Sequence, residues 1–267
     1  MNMVDDATGR RFGLLFEQET TEAAMRTLWG WIRRYGVPQA LYVDSKTVFR
    51  TDRDATLEEQ LEGKKPLTAF GLACQKLGIE MIYAGSPQAK GRVERSPGTD
   101  QDRLIKELEL EGIEEGGAAN RFLQQRYWKQ MNQKFAIDPA DPQDQHRPAL
   151  AASTRAEIFC WEQTRRVQRD GTLSYENRCF QILRDNPIRP TGRARVLVRR
   201  RLDGRLEMLY RDHKLRFREM AQPCPVAALP VRLPARRSKP EPHHPWRRFR
   251  LPGSPASLPS SHSGAIP

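Results

Sequence analysis

The sequence predicts an α/β fold over about residues 1–135, followed by a small basic antiparallel β unit over about 155–222 and a disordered tail. Three observations support this prediction. In the first half, apolar runs typical of strands alternate with amphipathic helical patterns, which indicates helices packed on a central sheet. Two Asp-Gly turns between alternating segments then indicate β-hairpins. A final proline-rich segment cannot build a core.

The first half begins with a predicted hairpin and helix. Two short apolar runs flank the segment 5–9, whose Asp, Thr and Gly residues are typical of a turn. A helix follows, because apolar residues recur at helical spacing. They are Ala24, Leu28, Trp31, Ile32 and Tyr35. Gly36 and Pro38 end this helix, and a short buried strand over 40–43 then leads directly to Asp44.

Further helix and strand patterns complete the first half. The charged segment 50–66 nearly lacks large apolar groups, so we expect an exposed excursion there. A second helix is predicted to run from Pro66, a residue type that the first helical turn tolerates, to Gly78. A strand over 79–84, a long polar helix and a helix over 118–135 follow.

The second half has a different pattern. Residues 136–154 form a linker rich in Pro and Asp. The Asp-Gly pairs at 170–171 and 203–204 each lie between alternating segments, which is a strong signal for hairpins. The sequence therefore predicts a small antiparallel β-barrel over 155–222. The 11 prolines of residues 223–267 predict a disordered tail.

The charge distribution indicates a polyanionic partner. The formal net charge is +12, yet residues 1–150 carry 21 Lys and Arg against 23 Asp and Glu. Residues 151–222 carry 17 against 9, and residues 223–267 carry 7 against 1. The basic excess therefore lies in the second half. DNA or RNA is the natural partner, because phosphate contacts supply most sequence-independent affinity.

No run of about 18 consecutive apolar residues is present, so the sequence predicts no transmembrane helix. We therefore expect a cytoplasmic protein, associated with the nucleoid if its partner is DNA.

Two carboxylates occupy positions where metal ligands are expected. Asp44 lies at the C-terminal end of a predicted strand, where open α/β sheets hold their ligands. Glu94 follows the next predicted strand and lies between Arg92 and Arg95. Hard divalent cations prefer such oxygen ligands, and flanking arginines can contact a DNA backbone. An Asp at a strand end is more often a helix cap or a solvated group, so the pattern alone leaves both interpretations open.

Three stretches resemble insertion-sequence transposases with a retroviral-integrase-like core. The region around that family's second catalytic Asp is similar to IRRYGVPQALYVDSKTVF. The motif with its catalytic Glu is similar to IEMIYAGSPQAKGRVERSPGTDQDRL, and its second and third strands resemble VDDATGRRFGLLF. The resemblance covers about residues 1–110 in order and is strongest to ISNCY-type enzymes. The C-terminal β unit resembles the barrel that follows this core.

The resemblance implies an RNase-H-like core lacking its first strand, followed by the small β-barrel. Asp44 would be the second and Glu94 the third member of an Asp-Asp-Glu set that binds two Mg²⁺ or Mn²⁺ ions. The implied activity is cleavage of DNA by water and transfer of the freed 3′-hydroxyl to a target phosphodiester. We expect a homo-oligomer assembled on the transposon ends and target DNA.

Several basic residues are candidates for contacts with DNA phosphates. Lys90, Arg92 and Arg95 lie beside the proposed site in the sequence. Arg199 and Arg201 lie in a run of three arginines on a predicted strand, where alternating side chains point to opposite faces.

One departure from the family concerns the first catalytic Asp. In the family it lies one strand before the hairpin predicted here, so we expect it upstream of Met1 and expect the 267-residue chain to be inactive alone. Asp5 and Asp6 match the turn after the family's second strand rather than that Asp. A DNA-binding remnant or a regulator of transposition without catalysis is therefore the alternative function, and a metal-dependent nuclease of the same fold is a more distant one.

The other departure is Pro97, where the family usually has a polar residue. A proline inside a helix removes a hydrogen bond and clashes with the preceding turn, so it could tilt the carboxylate of Glu94 one turn earlier. Alternatively, Ser96 caps a new helix that begins at Pro97.

Overall fold

The structure, a computed structural model, describes most of one compact unit that spans Met1–Cys224. The described residues are 1–44, 46–55, 57–61, 63, 65–83 and 103–221. They form a mixed α/β fold with two small sheets in the first half and two antiparallel sheets in the second. The predicted α/β class is thereby confirmed, whereas the predicted tail lies outside the described residues. None of the described helices is both long and apolar enough to cross a bilayer.

The chain begins with the predicted hairpin. Strand β1 (Asn2–Val4) pairs antiparallel with β2 (Arg11–Gly13). In the turn, the Asp5 carboxylate accepts hydrogen bonds from the Thr8 backbone N–H at 3.1 Å and from the Thr8 hydroxyl at 2.5 Å. Asp5 therefore has the turn-forming role that the sequence indicates.

Helix α1 (Thr21–Tyr35) follows with a clear start and end. The Thr20 side chain accepts a hydrogen bond from the Ala23 N–H and caps the helix. Gly36 ends it with φ of 101°, a conformation that favours glycine. A Cβ at Gly36 would also lie 2.5 Å from the carbonyl oxygen of Arg147, so the passing linker adds a second reason for glycine.

A parallel strand pair lies beside this helix. Strand β3 (Ala40–Val43) pairs with β4 (Glu80–Tyr83) in register. Between them come the short helix α2 (Leu57–Leu61) and helix α3 (Ala69–Leu77). Helix α3 begins three residues later than predicted, because the Thr68 hydroxyl accepts a hydrogen bond from the Gly71 N–H and caps it there. The left-handed Gly78 ends α3 as predicted.

The two small sheets are not joined to each other. Within the described part of the chain, β1 pairs only with β2 and β3 pairs only with β4. Met3 of β1 and Leu41 of β3 nevertheless pack against the same apolar cluster, which includes Met25, Leu28 and Ile32 of α1. Both sheets therefore lie against α1, and in each sheet both outer strand edges lack a partner among the described residues.

A helical region completes the first half. Residues 103–110 are helical and are labelled α4. The single helix predicted over 118–135 consists of α5 (Gly116–Phe122), a π-helical segment (Leu123–Tyr127) and α6 (Trp128–Phe135). Tyr127 and Trp128 are buried with Phe12 of β2 and Trp31 of α1. The helical region therefore covers the side of α1 and the hairpin away from the first apolar cluster.

The linker is held against the first half. Val37 and Arg147 form an isolated antiparallel bridge with backbone bonds of 2.9 Å in both directions. The Arg147 guanidinium also donates hydrogen bonds to the carbonyl oxygens of Leu77 and Gly78. The linker therefore joins the C-terminal ends of α1 and α3. Helix α7 (Ala152–Ile158) follows it.

The second half contains seven strands in two sheets. The strands are β5 (Cys160–Arg166), β6 (Thr172–Tyr175), β7 (Arg178–Ile182), β8 (Arg195–Arg201), β9 (Leu206–Tyr210), β10 (His213–Lys214) and β11 (Phe217–Met220). One sheet has the order β10-β9-β8-β5 and the other β11-β7-β6. Side chains from both sheets, such as Phe180 and Val198, share one buried apolar cluster.

The predicted small β-barrel is not confirmed, because the sheets of the described residues do not form a closed barrel. The two sheets meet through side chains and not through a continuous hydrogen-bonded ladder, so each sheet keeps two edge strands. The Asp203-Gly204 turn joins the paired strands β8 and β9, as predicted. The Asp170-Gly171 turn instead carries the chain from β5 in one sheet to β6 in the other.

Candidate active site

The parallel strands β3 and β4 bring the predicted site to one edge of their sheet. Asp44 follows Val43 directly, and Val43 is the register partner of Tyr83, the last residue of β4. The Tyr83 hydroxyl donates a 3.1 Å hydrogen bond to the carbonyl oxygen of Phe49. The chain after Asp44 therefore folds across the end of β4, and the two strands lead out of the sheet side by side.

Asp44 belongs to a small cluster of charges. One carboxylate oxygen accepts a 3.3 Å hydrogen bond from the Lys46 N–H, and the other lies 3.5 Å from the Lys46 ammonium. The same ammonium lies 2.5 Å from a carboxylate oxygen of Glu19. Lys46 thus bridges two carboxylates from distant parts of the sequence. The Asp44 side chain is 39% exposed, so the cluster is open to solvent.

The electrostatics of the cluster follow from this bridge. The hydrogen bond from Lys46 lowers the pKa of Glu19, and the same bond raises the pKa of Lys46. Glu19 therefore stays ionised, and the cluster of Glu19, Lys46 and Asp44 presents two negative charges to one positive charge. Its donors are carboxylate oxygens, the type that hard divalent cations prefer.

The remaining predicted site residues of the first half are not described. Lys90, Arg92, Glu94, Arg95 and the nearby Pro97 lie outside the described residues, in the segment 84–102 that follows Tyr83. Among the residues that the structure describes, no group of three or more His, Cys, Asp or Glu side chains could hold a metal ion. The metal assignment of Asp44 and Glu94 therefore stays a prediction.

Arg199 and Arg201 lie on β8 next to carboxylates. Arg199 Nε is 2.6 Å from Glu162 Oε1, and Lys76 Nζ is 2.7 Å from the other oxygen of Glu162. Arg201 pairs with Glu207 at 2.9 Å. The Arg199 and Arg201 side chains are only 19% and 20% exposed. Their predicted contact with DNA stays a prediction, but both charges already have an intramolecular partner.

The third arginine of this run has different surroundings. Arg200 lies over the Trp161 ring, with the guanidinium carbon 4.0 Å from the ring centroid, and pairs with Glu176 at 3.1 Å. Successive strand residues face opposite sides, which separates Arg200 from its two neighbours.

The ion pair at Glu162 joins the two halves of the molecule, because Lys76 belongs to α3 and Glu162 to β5. Burial acts to raise the pKa of Glu162, but hydrogen bonds from Lys76 and Arg199 outweigh it, so that the pKa lies below its ordinary value. Beside it, Phe159 is fully buried in the apolar cluster of α1 and α3 and packs on Trp29, with ring centroids 5.5 Å apart.

Two features of the surface could not be found in the sequence. Glu19 is distant from Asp44 along the chain and has no pattern of its own, so only the fold shows that Lys46 connects them. Arg33, Arg34 and Arg121 line a cleft of about 420 Å³ between α1 and the helical region. Their exposed positions on helices resemble those of any solvated arginine, and only packing brings them together.

Sequence comparison adds information on the whole chain. No known family model matches it. The chain is similar to two known transposases. It is 36% identical over 217 residues, 80% of its length, to the protein y4bF of Sinorhizobium fredii, which is named as a transposase. It is 34% identical over 178 residues, 66% of its length, to the transposase for insertion sequence IS1202 of Streptococcus pneumoniae.

These relatives are considerably longer than the chain. The matched parts cover 46% of y4bF and 37% of the IS1202 transposase. The similarity is therefore to part of a transposase, and it includes most of the residues whose positions are described above.

Proposed function

We propose that this chain is the core and β portion of an insertion-sequence DNA transposase that cleaves and transfers DNA strands with divalent metal ions. The observation that carries the proposal is the position of Asp44, at the edge where parallel strands β3 and β4 both end. Ligands of open α/β sheets bind at such carboxyl ends. The 36% identity to y4bF over 80% of the chain supports the same function.

The proposed core has an RNase-H-like arrangement. An antiparallel hairpin, helix α1 and the parallel β3-α3-β4 unit occur in the order that the resemblance implies. All four strands of the two small sheets have an unpaired outer edge within the described residues, and those of β1 and β3 are compatible with a core in which a further strand lies between them. Such a strand would carry the first Asp of the set.

Asp44 and Glu94 are the residues proposed to hold two Mg²⁺ or Mn²⁺ ions. The surroundings of Asp44 fit a cation, because the Lys46 ammonium already bridges Asp44 and Glu19. When bound, such ions activate an attacking oxygen and stabilise a leaving oxygen at phosphorus. The chain itself contributes the fixed position of Asp44 at the strand end. Lys46 would contribute a positive charge beside Asp44 that can meet a DNA phosphate.

The test is a strand-transfer assay with Mg²⁺ or Mn²⁺ on DNA that carries the element's ends. It uses the 267-residue chain and a version extended at its N-terminus with the preceding codons. In whichever version is active, Asp44→Asn and Glu94→Gln should each lower the rate on the order of 100-fold or more, because loss of a metal ligand removes several kcal/mol of charge stabilisation.

The control is Asp52→Asn, whose carboxylate is 94% exposed. Its rate should equal that of the unchanged protein. Full activity in the Asp44→Asn variant would rule out the proposed site. Activity of the short chain that disappears in Asp5→Asn or Asp6→Asn would assign the first acid to the hairpin turn instead.

A regulator that binds DNA without catalysis is the second candidate. It is favoured by the basic second half, where residues 151–222 carry 17 Lys and Arg against 9 Asp and Glu. DNA binding by a correctly folded extended protein that has no strand-transfer activity would favour this candidate. In either case we propose DNA as the partner, a homo-oligomer on that DNA, and action in the cytoplasm at the nucleoid.

A further inference from the structure

A cleft of about 420 Å³ lies between the C-terminal half of α1 and the α5 and π-helical region. Its lining includes Arg33 and Arg34 of α1, Arg121 of α5 and Gln124 of the π-helical segment, with Phe12 and Gly30 below them. The cleft is about 15 Å along α1 from the helix start at Thr21, at 1.5 Å per residue. It is therefore separate from the cluster of Asp44, Lys46 and Glu19.

The floor of the cleft depends on a glycine inside a helix. A Cβ on Gly30 would lie 2.4 Å from Cζ of Phe12, so only glycine lets the ring pack directly beneath this turn of α1. Phe12 is 2% exposed and belongs to the buried cluster with Trp31 and Tyr127. The recess between α1 and the helical region is therefore fixed by the packed core below it.

The charge of the cleft is uncompensated. Its lining contains three arginines and no carboxylate. Neighbouring arginines on the same elements do have acidic partners, since Arg26 pairs with Glu22 at 2.8 Å and Arg126 with Glu111 at 2.6 Å. Within the described ranges, Arg33, Arg34 and Arg121 form no salt bridge. Positive charge without a partner is thus concentrated at the cleft, although the half of the chain that contains it has a net negative charge.

The π-helical segment orients one of the three arginines. Arg34 Nη1 donates a 3.0 Å hydrogen bond to the carbonyl oxygen of Gln124. One donor of the guanidinium is used in this bond, and the others remain available to a ligand. π-Helical turns occur frequently at functional sites, and here the turn supplies a fixed backbone acceptor at the rim.

We propose that this cleft binds a phosphate group of the DNA backbone. Guanidinium groups form bidentate, charge-assisted hydrogen bonds with phosphate oxygens, and an uncompensated group of three arginines favours a polyanionic ligand such as a DNA duplex. Phosphate contacts position a protein on a duplex without reading its sequence. The inference rests on the proposed function for the identity of the ligand. It adds a positioning site on α1, away from the strand end that carries Asp44.

The test compares salt dependence of duplex binding for the full chain and two charge-matched variants. Arg33→Gln/Arg121→Gln removes two arginines of the cleft. Arg53→Gln/Arg126→Gln removes two arginines that are paired with Glu59 and Glu111. A fluorescent duplex of about 20 base pairs is titrated across a salt series, because each lost phosphate contact lowers the slope of log K against log salt by about 0.9.

The cleft variant should show a slope that is shallower by about 1 to 2, whereas the control variant should keep the slope of the unchanged chain. A third variant, Arg33→Lys/Arg121→Lys, should restore the slope because the charges return. Equal slopes for the cleft variant and the unchanged chain would reject the cleft and leave the proposed function intact. Absence of any duplex binding by the unchanged chain would reject both. Circular dichroism confirms folding, which these exposed substitutions should not alter.

Discussion

The lysine that bridges two carboxylates is central to the chemistry of the strand end. Lys46 holds Glu19 and Asp44 together although neither carboxylate is near the other in sequence. Its effect on the neighbouring acids can be measured without DNA or metal.

Lys46→Met should raise the pKa of Glu19 towards its ordinary value, because the hydrogen bond that lowers it is lost. Carbon-detected NMR titration of the side-chain carboxyl measures the change. Arg178→Met is the matched control, since Arg178 lowers the pKa of Glu219 in the same way at a remote position. The control should raise the pKa of Glu219 and leave the pKa of Glu19 unchanged. An unchanged pKa of Glu19 in the Lys46 variant would contradict the bridge.

Glu162→Gln should destabilise the fold by about 3 kcal/mol near pH 7, the low end for breaking a buried ion pair, because Lys76 is partly exposed. The pKa of Glu162 lies below its ordinary value. Its contribution is therefore complete above that ordinary value and is lost as the pH falls through the lowered pKa. The stability difference between the variant and the unchanged chain should accordingly shrink under acid conditions.

Urea denaturation at several pH values checks this prediction. Glu219→Gln breaks the exposed pair between Glu219 and Arg178, whose side chains are 47% and 45% exposed, and should lower stability much less than Glu162→Gln, because solvent screens an exposed pair. Equal costs for the two variants would show that Glu162 does not stabilise the contact between the halves.

At the scale of elements, helix α1 combines a regular apolar face with one glycine inside the helix, Gly30. Its apolar spacing and its end at Gly36 were visible in the sequence, and the structure confirms both. The reason for Gly30 was not visible, because it depends on Phe12 of a strand that precedes the helix. A helix-interior glycine ordinarily lowers stability relative to alanine by about 1 kcal/mol.

Gly30→Ala should therefore destabilise the chain by roughly 2 kcal/mol, the opposite of the usual effect, because overpacking a filled site outweighs the gain in helix propensity. Gly116→Ala in α5 is the matched control. No atom lies within 4 Å of the position of its Cβ, so it should be neutral or stabilise by up to about 1 kcal/mol. Thermal unfolding of both variants measures the contrast, and a stabilising Gly30→Ala would refute the close packing.

The turns show how far local patterns predict strand pairing. The Asp203-Gly204 signal correctly indicated the hairpin of β8 and β9. The same signal at Asp170-Gly171 was misleading, because a tight turn does not specify which strands pair after it. The hairpin of β6 and β7 instead turns at Glu176 and Asn177, both with positive φ, and Glu176 is not a residue type that indicates such a turn.

Only part of the candidate site could be predicted from the sequence, because local patterns do not show contacts between distant elements. Asp44 could be placed from the strand before it, since the end of an apolar run is a local feature. Glu19 and the arginine cleft depend on contacts between elements far apart in sequence. The π-helical segment likewise follows from packing of Leu123 and Tyr127 under α1 rather than from a local motif.

At the scale of the whole molecule, the two halves share buried surface. Phe159, which precedes β5, lies in the core formed by α1 and α3. The boundary predicted near residue 155 from composition stays a prediction, but the contact there is apolar as well as ionic. Cys74 of α3 and Cys160 of β5 are both buried in this region.

These two thiols report on whether the halves stay together. Burial raises the pKa of Cys74 to about 12 and that of Cys160 to about 11. At pH 8 both should therefore react with iodoacetamide at least about 100-fold more slowly than in the unfolded chain, since the thiolate is the nucleophile. Peptide mass spectrometry measures the rates. Rapid modification of Cys160 with protection of Cys74 would mean that the second half separates from the first.

The linker held by Arg147 restricts how the two halves of the molecule can be arranged relative to each other. A free tether allows many relative positions of the parts it joins, and the effective concentration of the second part is then low. Here the bridge to Val37 and the bonds to the Leu77 and Gly78 carbonyls leave the connection few conformations. Most of the entropy of arranging the halves is therefore lost during folding rather than during binding. A ligand that contacted both halves would meet the second half at nearly fixed geometry, and its second contact would be effectively intramolecular.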